Sequence, residues 1–347
     1  MRIVVLGLSI TSSWGNGHAT NYRALCRGLA ARGHDVLFLE RDRPWYAAAR
    51  DFDAPWVRLY DSVAALAAYQ EDVRAADLVL VGSFVPDGVE VGEWALATAT
   101  GPVAFWDIDT PVTAAKLAAD DREYLSRELV GRYDLYLSFT SGPLLERIGA
   151  RRPRPFHCLV DPELYRPVDA PKRWALGYLG TYSPDRQEAL ERLLGAPAAA
   201  VPEERFVVAG SQFPDELAWP ANVERLDHVA PADHPRFYAS QRMTLNVTRG
   251  PMAEAGWSPS VRLFEAAACG VPVVSDPWEG LETFFRPDEE ILVAAGPEDV
   301  LDVLRLPADE LAAIGRRARA RVLAEHTAER RAEQLEGYVA ELVGAPA

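Results

Sequence analysis

Two charged residues, Arg262 and Glu265, interrupt an otherwise apolar stretch that reads Ser258-Pro259-Ser260-Val261-Arg262-Leu263-Phe264-Glu265-Ala266-Ala267-Ala268-Cys269-Gly270. Ser258 reads as an N-cap with Pro259 as the first helical residue, and Gly270 as a left-handed stop that Pro272 makes final. The spacing therefore predicts a buried helix followed by a short strand, 271–275. The N-terminus of such a helix presents free N–H groups and a positive dipole end. A phosphate or pyrophosphate fits there, with Arg262 adding a charge-assisted bond and Glu265, one turn on, accepting from a sugar or ribose diol. The same pair also fits a plain i, i+3 ion pair on a solvated helix face, and the pattern alone leaves both readings open. Arg249, in the strand end Thr248-Arg249-Gly250, is a further phosphate candidate; its alternative is a surface loop arginine.

A second set of reactive residues lies in the first half. His18 opens a predicted helix, 18–32, whose N-terminus would lower its pKa and keep a general base neutral. The competing assignment is a helix-start residue bonded to backbone. The loop ahead of it, Gly15-Asn16-Gly17, lacks the spacing of the dinucleotide fingerprint, so no NAD site is read there. Asp107-Ile108-Asp109 has the Asp-x-Asp spelling that can hold a divalent metal. Asp109 is read as the ligand-facing residue and Asp107 as structural.

The elements that must position these residues repeat one pattern. Ile3 to Leu8 is a continuous apolar run of the kind buried on both faces of a parallel sheet, and with the 18–32 helix and a strand at 35–40 it makes a right-handed β-α-β unit. Strands at 78–82, 103–106 and 135–139 follow, with helices near 62–76 and 116–129. Segment 153–173, punctuated by Pro153, Pro155, Pro162, Pro167 and Pro171, reads as a domain linker. A second series begins with a strand at 175–179, the loop 180–183 and a helix at 185–194, and continues with strands at 206–209, 223–228, 237–239, 243–247 and 291–293. From Pro307 the chain is helical. Ligands in such sheets bind beyond the carboxyl ends of the strands, and a cleft between two α/β halves is a preferred small-molecule site.

The 347 residues suffice for two domains with full cores, and a net charge of −15 opposes general nucleic-acid or anionic-membrane binding. No stretch is apolar enough to span a bilayer, and the N-terminus enters a strand without the regions of a signal peptide. Cys26, Cys158 and Cys269 lack metal-ligand spacing and suit a reducing cytoplasm.

The segments Tyr178-Leu179-Gly180-Thr181-Tyr182, Leu245-Asn246-Val247-Thr248-Arg249 and Ser258 to Gly270, with the late His326-Thr327, resemble the CgeB-like glycosyltransferases, a GT-B group related to the glycogen and sucrose synthases. The resemblance spans nearly the whole chain. It implies an α/β protein of two Rossmann-like domains, an acceptor-side domain over 1–165 and a donor domain over 166–325, with a closing helix, 326–347, returning to the first. The donor it implies is a nucleotide-diphosphate sugar, most often a UDP-sugar, bound as substrate with no separate cofactor and no metal. By that likeness Gly180, Thr181, Tyr182 and Arg249 belong to the donor site. Ser260, Val261 and Arg262 face the diphosphate, and Glu265 grips the ribose. Gly15, Asn16 and Gly17 form the acceptor-side loop, and His18, or Asp109, acts at the reaction centre. One departure is Trp257, which stands where the wider family often has a Glu that contacts the donor sugar. A nucleotide-sugar epimerase on the same fold and a non-catalytic nucleotide-sugar-binding module are the rival readings. Acceptor, stereochemical course and oligomeric state stay open.

Overall fold

A computed structural model describes residues 1–14 and 17–344. The chain forms two compact units, one of Met1–Leu159 with the segment from Ala328 onward, the other of Val160–Thr327.

The first unit holds a seven-stranded sheet in the order β3-β2-β1-β4-β5-β6-β7. Its strands are β1 (Arg2–Gly7), β2 (Asp35–Arg41), β3 (Val57–Tyr60), β4 (Leu78–Gly82), β5 (Val103–Asp107), β6 (Leu135–Ser138) and β7 (Pro153–Pro155), every neighbouring pair parallel. Ile3, Val4, Val5 and Leu6 are fully buried, as the unbroken apolar run requires of a strand covered on both faces. The second unit has a six-stranded sheet ordered β10-β9-β8-β11-β12-β13. Here β8 is Trp174–Leu179, β9 Phe206–Ala209, β10 Val223–Leu226, β11 Gln241–Asn246, β12 Val273–Ser275 and β13 Leu292–Val293, again all parallel. In both sheets the chain lays strands to one side and then reverses. The first sheet therefore has its switch point between β1 and β4, and the second between β8 and β11.

Several elements differ from the sequence expectation for identifiable reasons. The apolar triplet Phe237-Tyr238-Ala239 belongs to a helix, His234–Ala239, because a short buried run carries no period that separates helix from strand. The helix expected near 116–129 is Thr110–Ala118, opened by Pro111, with a separate short helix at Arg127–Val130. Part of the proline-rich segment is β7, which survives because it is an edge strand where a missing N–H is tolerated. The charged helix begins at Val261, not at Pro259, because Ser260 keeps an extended ψ of 141°. Gly270 does stop it, at φ +73°.

The last helix, Ala328–Gly344, packs on the His18–Ala31 helix within the first unit. A Cβ on Gly28 would come 2.9 Å from the Ala328 carbonyl, so the two backbones touch there. Arg32 donates from both Nε and Nη2 to the Glu336 carboxylate at 2.8 Å.

Candidate functional site

The switch point of the second sheet is where the donor-side residues meet. Gly180 leaves β8 with its N–H on the Ala209 carbonyl, at 2.9 Å, and Tyr182 N–H reaches Ser211 O at the same distance. A side chain at Gly180 is impossible without rearrangement, since its Cβ would lie 2.5 Å from Arg262 Nη2 and 2.7 Å from the Tyr178 hydroxyl. The next strand end is fixed by Asp276, whose carboxylate accepts the Thr248 N–H at 3.0 Å and its hydroxyl at 2.8 Å. Asp185 joins the two loops, accepting Gly250 N–H at 2.9 Å and bonding Ser183. Burial opposes ionisation of Asp185, but those bonds and the charges of Arg249 and Arg186 hold its carboxyl below the usual range.

Around this joint stand three guanidinium groups. Arg249 Nε lies 3.8 Å from the Asp185 carboxylate. Arg186, at the start of the Pro184–Leu190 helix, donates from Nη2 to Thr181 O at 2.5 Å, while its buried Nε has no hydrogen-bond partner. Burial lowers the Arg186 pKa, and the neighbouring Arg262 and Arg249 charges lower it further. Arg249 and Arg186 share the Asp185 carboxylate, Arg262 stands beside them, and Asp276 is the second carboxylate at the joint; three cations against two carboxylates leave a positive excess at a sheet switch point.

Arg262 occupies a different role from the exposed ion pair considered above. It is 6 % exposed, donates from Nε to Leu179 O at 2.5 Å and from Nη1 to Asn246 Oδ1 at 2.9 Å, and lies 4.6 Å over the Tyr178 ring. The guanidinium thus ties the ends of β8 and β11 to the helix that begins beside them. Glu265 turns elsewhere: it is 5 % exposed, accepts the Tyr238 hydroxyl at 3.3 Å, and lies 3.9 Å from His234 Nδ1. Burial and the Glu265 charge push the Tyr238 hydroxyl well up. Ser260 is the N-cap residue and makes no side-chain cap bond; Val261 is the first helical residue. Trp257 sits just before them in a left-handed conformation, φ +43°, with its N–H on Glu279 O at 2.6 Å and its ring over the backbone of Gly280.

In the first unit the loop after β1 is organised by Glu40. This fully buried carboxylate accepts Ser9 Oγ at 3.0 Å, the N–H groups of Ile10 and Thr11 at 2.7 and 2.9 Å, and Thr11 Oγ1 at 2.7 Å. His18 follows, half-buried, with its ring centroid 5.3 Å from that of Phe84 in the loop after β4. Desolvation pulls its pKa down to about 3, so the imidazole is neutral at physiological pH. Gly17, the N-cap residue, is exposed; Gly15 and Asn16 lie outside the described residues. Asp107 turns into the core, accepting Tyr136 Oη at 2.5 Å and Thr113 Oγ1 at 2.7 Å, and burial raises its pKa. Asp109 is half-buried and its N–H bonds back to Asp107 Oδ1 at 3.2 Å. Among the described residues no three His, Cys, Asp or Glu side chains gather as a metal site.

Residues 186–337 match the family described as "Glycosyl transferase-like". The whole chain superposes on solved structures. Sucrose-phosphate synthase from Thermosynechococcus elongatus aligns at 15 % identity and TM-score 0.69, covering 99 % of this chain and 100 % of that one. This chain has the GT-B fold. Anabaena HepE in complex with UDP and glucose aligns at 14 % identity and TM-score 0.71, covering 98 % of this chain and 99 % of that one. An α-glucosyltransferase in complex with UDP and a 13-mer DNA aligns at 11 % identity and TM-score 0.72, with the same two coverages. No curated protein matches this chain in sequence.

Two residues that organise these candidate sites were invisible as such in the sequence. Arg186 reads as a solvated residue of a helix first turn; the signal that could have found it is a base placed one short loop after a glycine-ended strand. Glu40 gives no local signal, since its partners Ser9 to Thr11 lie 29 to 31 positions away.

Proposed function

We propose that the protein is a glycosyltransferase that moves a hexosyl group from a UDP-sugar to an acceptor hydroxyl. The carrying observation is the cation excess at the β8/β11 switch point, where Arg186 presents a buried, unpartnered Nε beside Arg249. UDP in the complexes of HepE and the α-glucosyltransferase supports the choice of donor. In this reading Arg249 and Arg186 bind the diphosphate together with the N–H groups at Ser260 and Val261. They neutralise the charge that builds on the leaving group without a metal ion. Arg262 holds the two strand ends in register for them, and Gly180, Thr181 and Tyr182 bring backbone close to the nucleotide. Glu265, oriented by Tyr238, accepts from the ribose.

On the acceptor side His18 is neutral and can take a proton from the attacking hydroxyl, with Asp109 as the alternative base. The net charge of −15 argues against a nucleic-acid acceptor for this chain. The test is a thermal-shift screen of UDP, UDP-glucose, ADP and GDP, repeated in excess chelator. A shift specific to the uridine compounds and unchanged by chelator supports the reading; no shift with any of them sinks it. Replacing His18 with Ala should lower kcat by about 10²–10⁴-fold. A retained rate removes it as base.

A further inference from the structure

Beyond the ends of β2 and β3, the first unit gathers a second group of cations that the transfer chemistry does not use. Arg41 ends β2 and Arg43 follows two residues later, their side chains 13 % and 29 % exposed. Both guanidiniums turn to one carboxylate, Asp87, at 3.3 and 3.9 Å. Arg50 adds nothing to the balance, since it is paired with Asp42 at 2.6 Å, and Glu40 is committed to the β1 loop. Two cations against one carboxylate leave a local positive charge.

The donors here are also incompletely satisfied. Arg41 Nη1 and Arg43 Nε are buried with no hydrogen-bond partner, and so is the hydroxyl of Tyr60, over whose ring Arg41 lies at 5.7 Å. Unmatched buried donors cost stability, and their concentration in one place is the mark of a site built for something other than folding. An aromatic face stands beside it: Trp45 is 52 % exposed, with the Arg43 guanidinium 5.5 Å from its ring centroid. The loop that supplies Asp87 is strained, Phe84 at φ +62° and Asp87 at φ +58°, and the same Phe84 packs against His18.

We propose that Arg41, Arg43 and Tyr60 form a subsite for an oxyanion carried by the acceptor, a phosphate or carboxylate on a sugar whose ring stacks on Trp45. Asp87 holds the two guanidiniums apart and keeps the site from being a stronger, indiscriminate anion trap. The word acceptor rests on the transfer reading; the anion site does not.

Isothermal titration of the full chain, first saturated with UDP to fill the donor site, tests this with inorganic phosphate, glucose 6-phosphate, glucuronate and glucose. The expected result is that an anionic sugar binds at least about tenfold tighter than glucose, the better of the two anions naming the group. Arg43→Gln should weaken that binding by about 10–100-fold, while Asp87→Asn, which an Asn in the left-handed region tolerates, should tighten it by roughly threefold or more. Arg249→Gln should leave it unchanged. The proposal is overturned if none of the three anions binds, if glucose binds equally well, if Arg43→Gln has no effect, or if Arg249→Gln abolishes binding. Should UDP fail to bind while the anionic sugar binds the UDP-free protein, the donor reading falls and this site stands.

Discussion

Arg186 and Arg262 show how two arginines within one charge cluster do opposite work. Arg262 spends Nε and Nη1 on Leu179 O and Asn246 Oδ1 and covers Tyr178, so its removal strands two buried acceptors. Arg186 keeps one bond, Nη2 to Thr181 O, and the Asp185 charge, but its Nε is buried without a hydrogen-bond partner and Arg262 and Arg249 repel it, so the folded protein without ligand gains less from it. Arg262→Leu is accordingly expected to cost about 2–4 kcal/mol in chemical denaturation. Arg186→Leu, which gives up a single bond and relieves the repulsion, should cost no more than about 1 kcal/mol of unfolding stability while weakening UDP by about 10–100-fold, measured by titration. Equal loss of stability in both variants would refute the division. His18 adds a point about pH. With its pKa near 3 through desolvation, its protonation leaves the pH–rate profile flat across the neutral range.

At the scale of elements, what the sequence shows depends on whether the signal is local. Strands β1, β4, β5, β8 and β9 are largely apolar runs, and β1 and β4, the two sides of the first sheet's switch point, are among them, whereas β11, across the second switch point from β8, mixes Gln241, Arg242, Thr244 and Asn246 with its apolar residues. Phe237 to Ala239 and Pro153 to Pro155 are misread because one is too short to show a period and the other owes its state to an edge position. The Ser258 to Gly270 segment announces its helix and its stop, yet its start is set by the extended Ser260 and the left-handed Trp257, whose N–H and ring rest on Glu279 and Gly280. Glu40 is the sharpest case of a non-local determinant. Its Oε2 accepts two backbone N–H groups that cannot turn away, whereas its Oε1 accepts two hydroxyls that can rotate to accept instead. Glu40→Gln is therefore expected to cost only about 1 kcal/mol, the amide nitrogen facing the hydroxyls. Glu40→Leu, which strands the N–H groups of Ile10 and Thr11, should cost about 3–5 kcal/mol. Denaturant midpoints that fall equally for both would show that the loop is not held this way.

Over the whole molecule, the chain begins and ends in the first unit, and the second is an excursion between Leu159 and Ala328. The closing helix is fastened by Glu336, which takes both Arg32 bonds and a His34 Nε2 contact at 2.6 Å. The Arg32 bonds first, and then the one to His34, hold its carboxyl down to about 2 from an ordinary 4.5. A depressed carboxylate stabilises the fold fully above its unfolded pKa and loses that contribution as pH falls through the folded one. The window is therefore pH 4.5 to 2. The group is 29 % exposed and solvent-screened, so Glu336→Gln should cost about 1 kcal/mol at pH 7. For a unit of this size that is a fall of roughly 2–4 °C in Tm, shrinking as pH drops from 4.5 and gone near pH 2. Calorimetry gives the stricter check, because Glu336 belongs to the first unit and Arg186, Arg249 and Arg262 to the second. The substitution should move only the first unit's transition and UDP only the second's. A single transition moved by both would show that the units unfold as one.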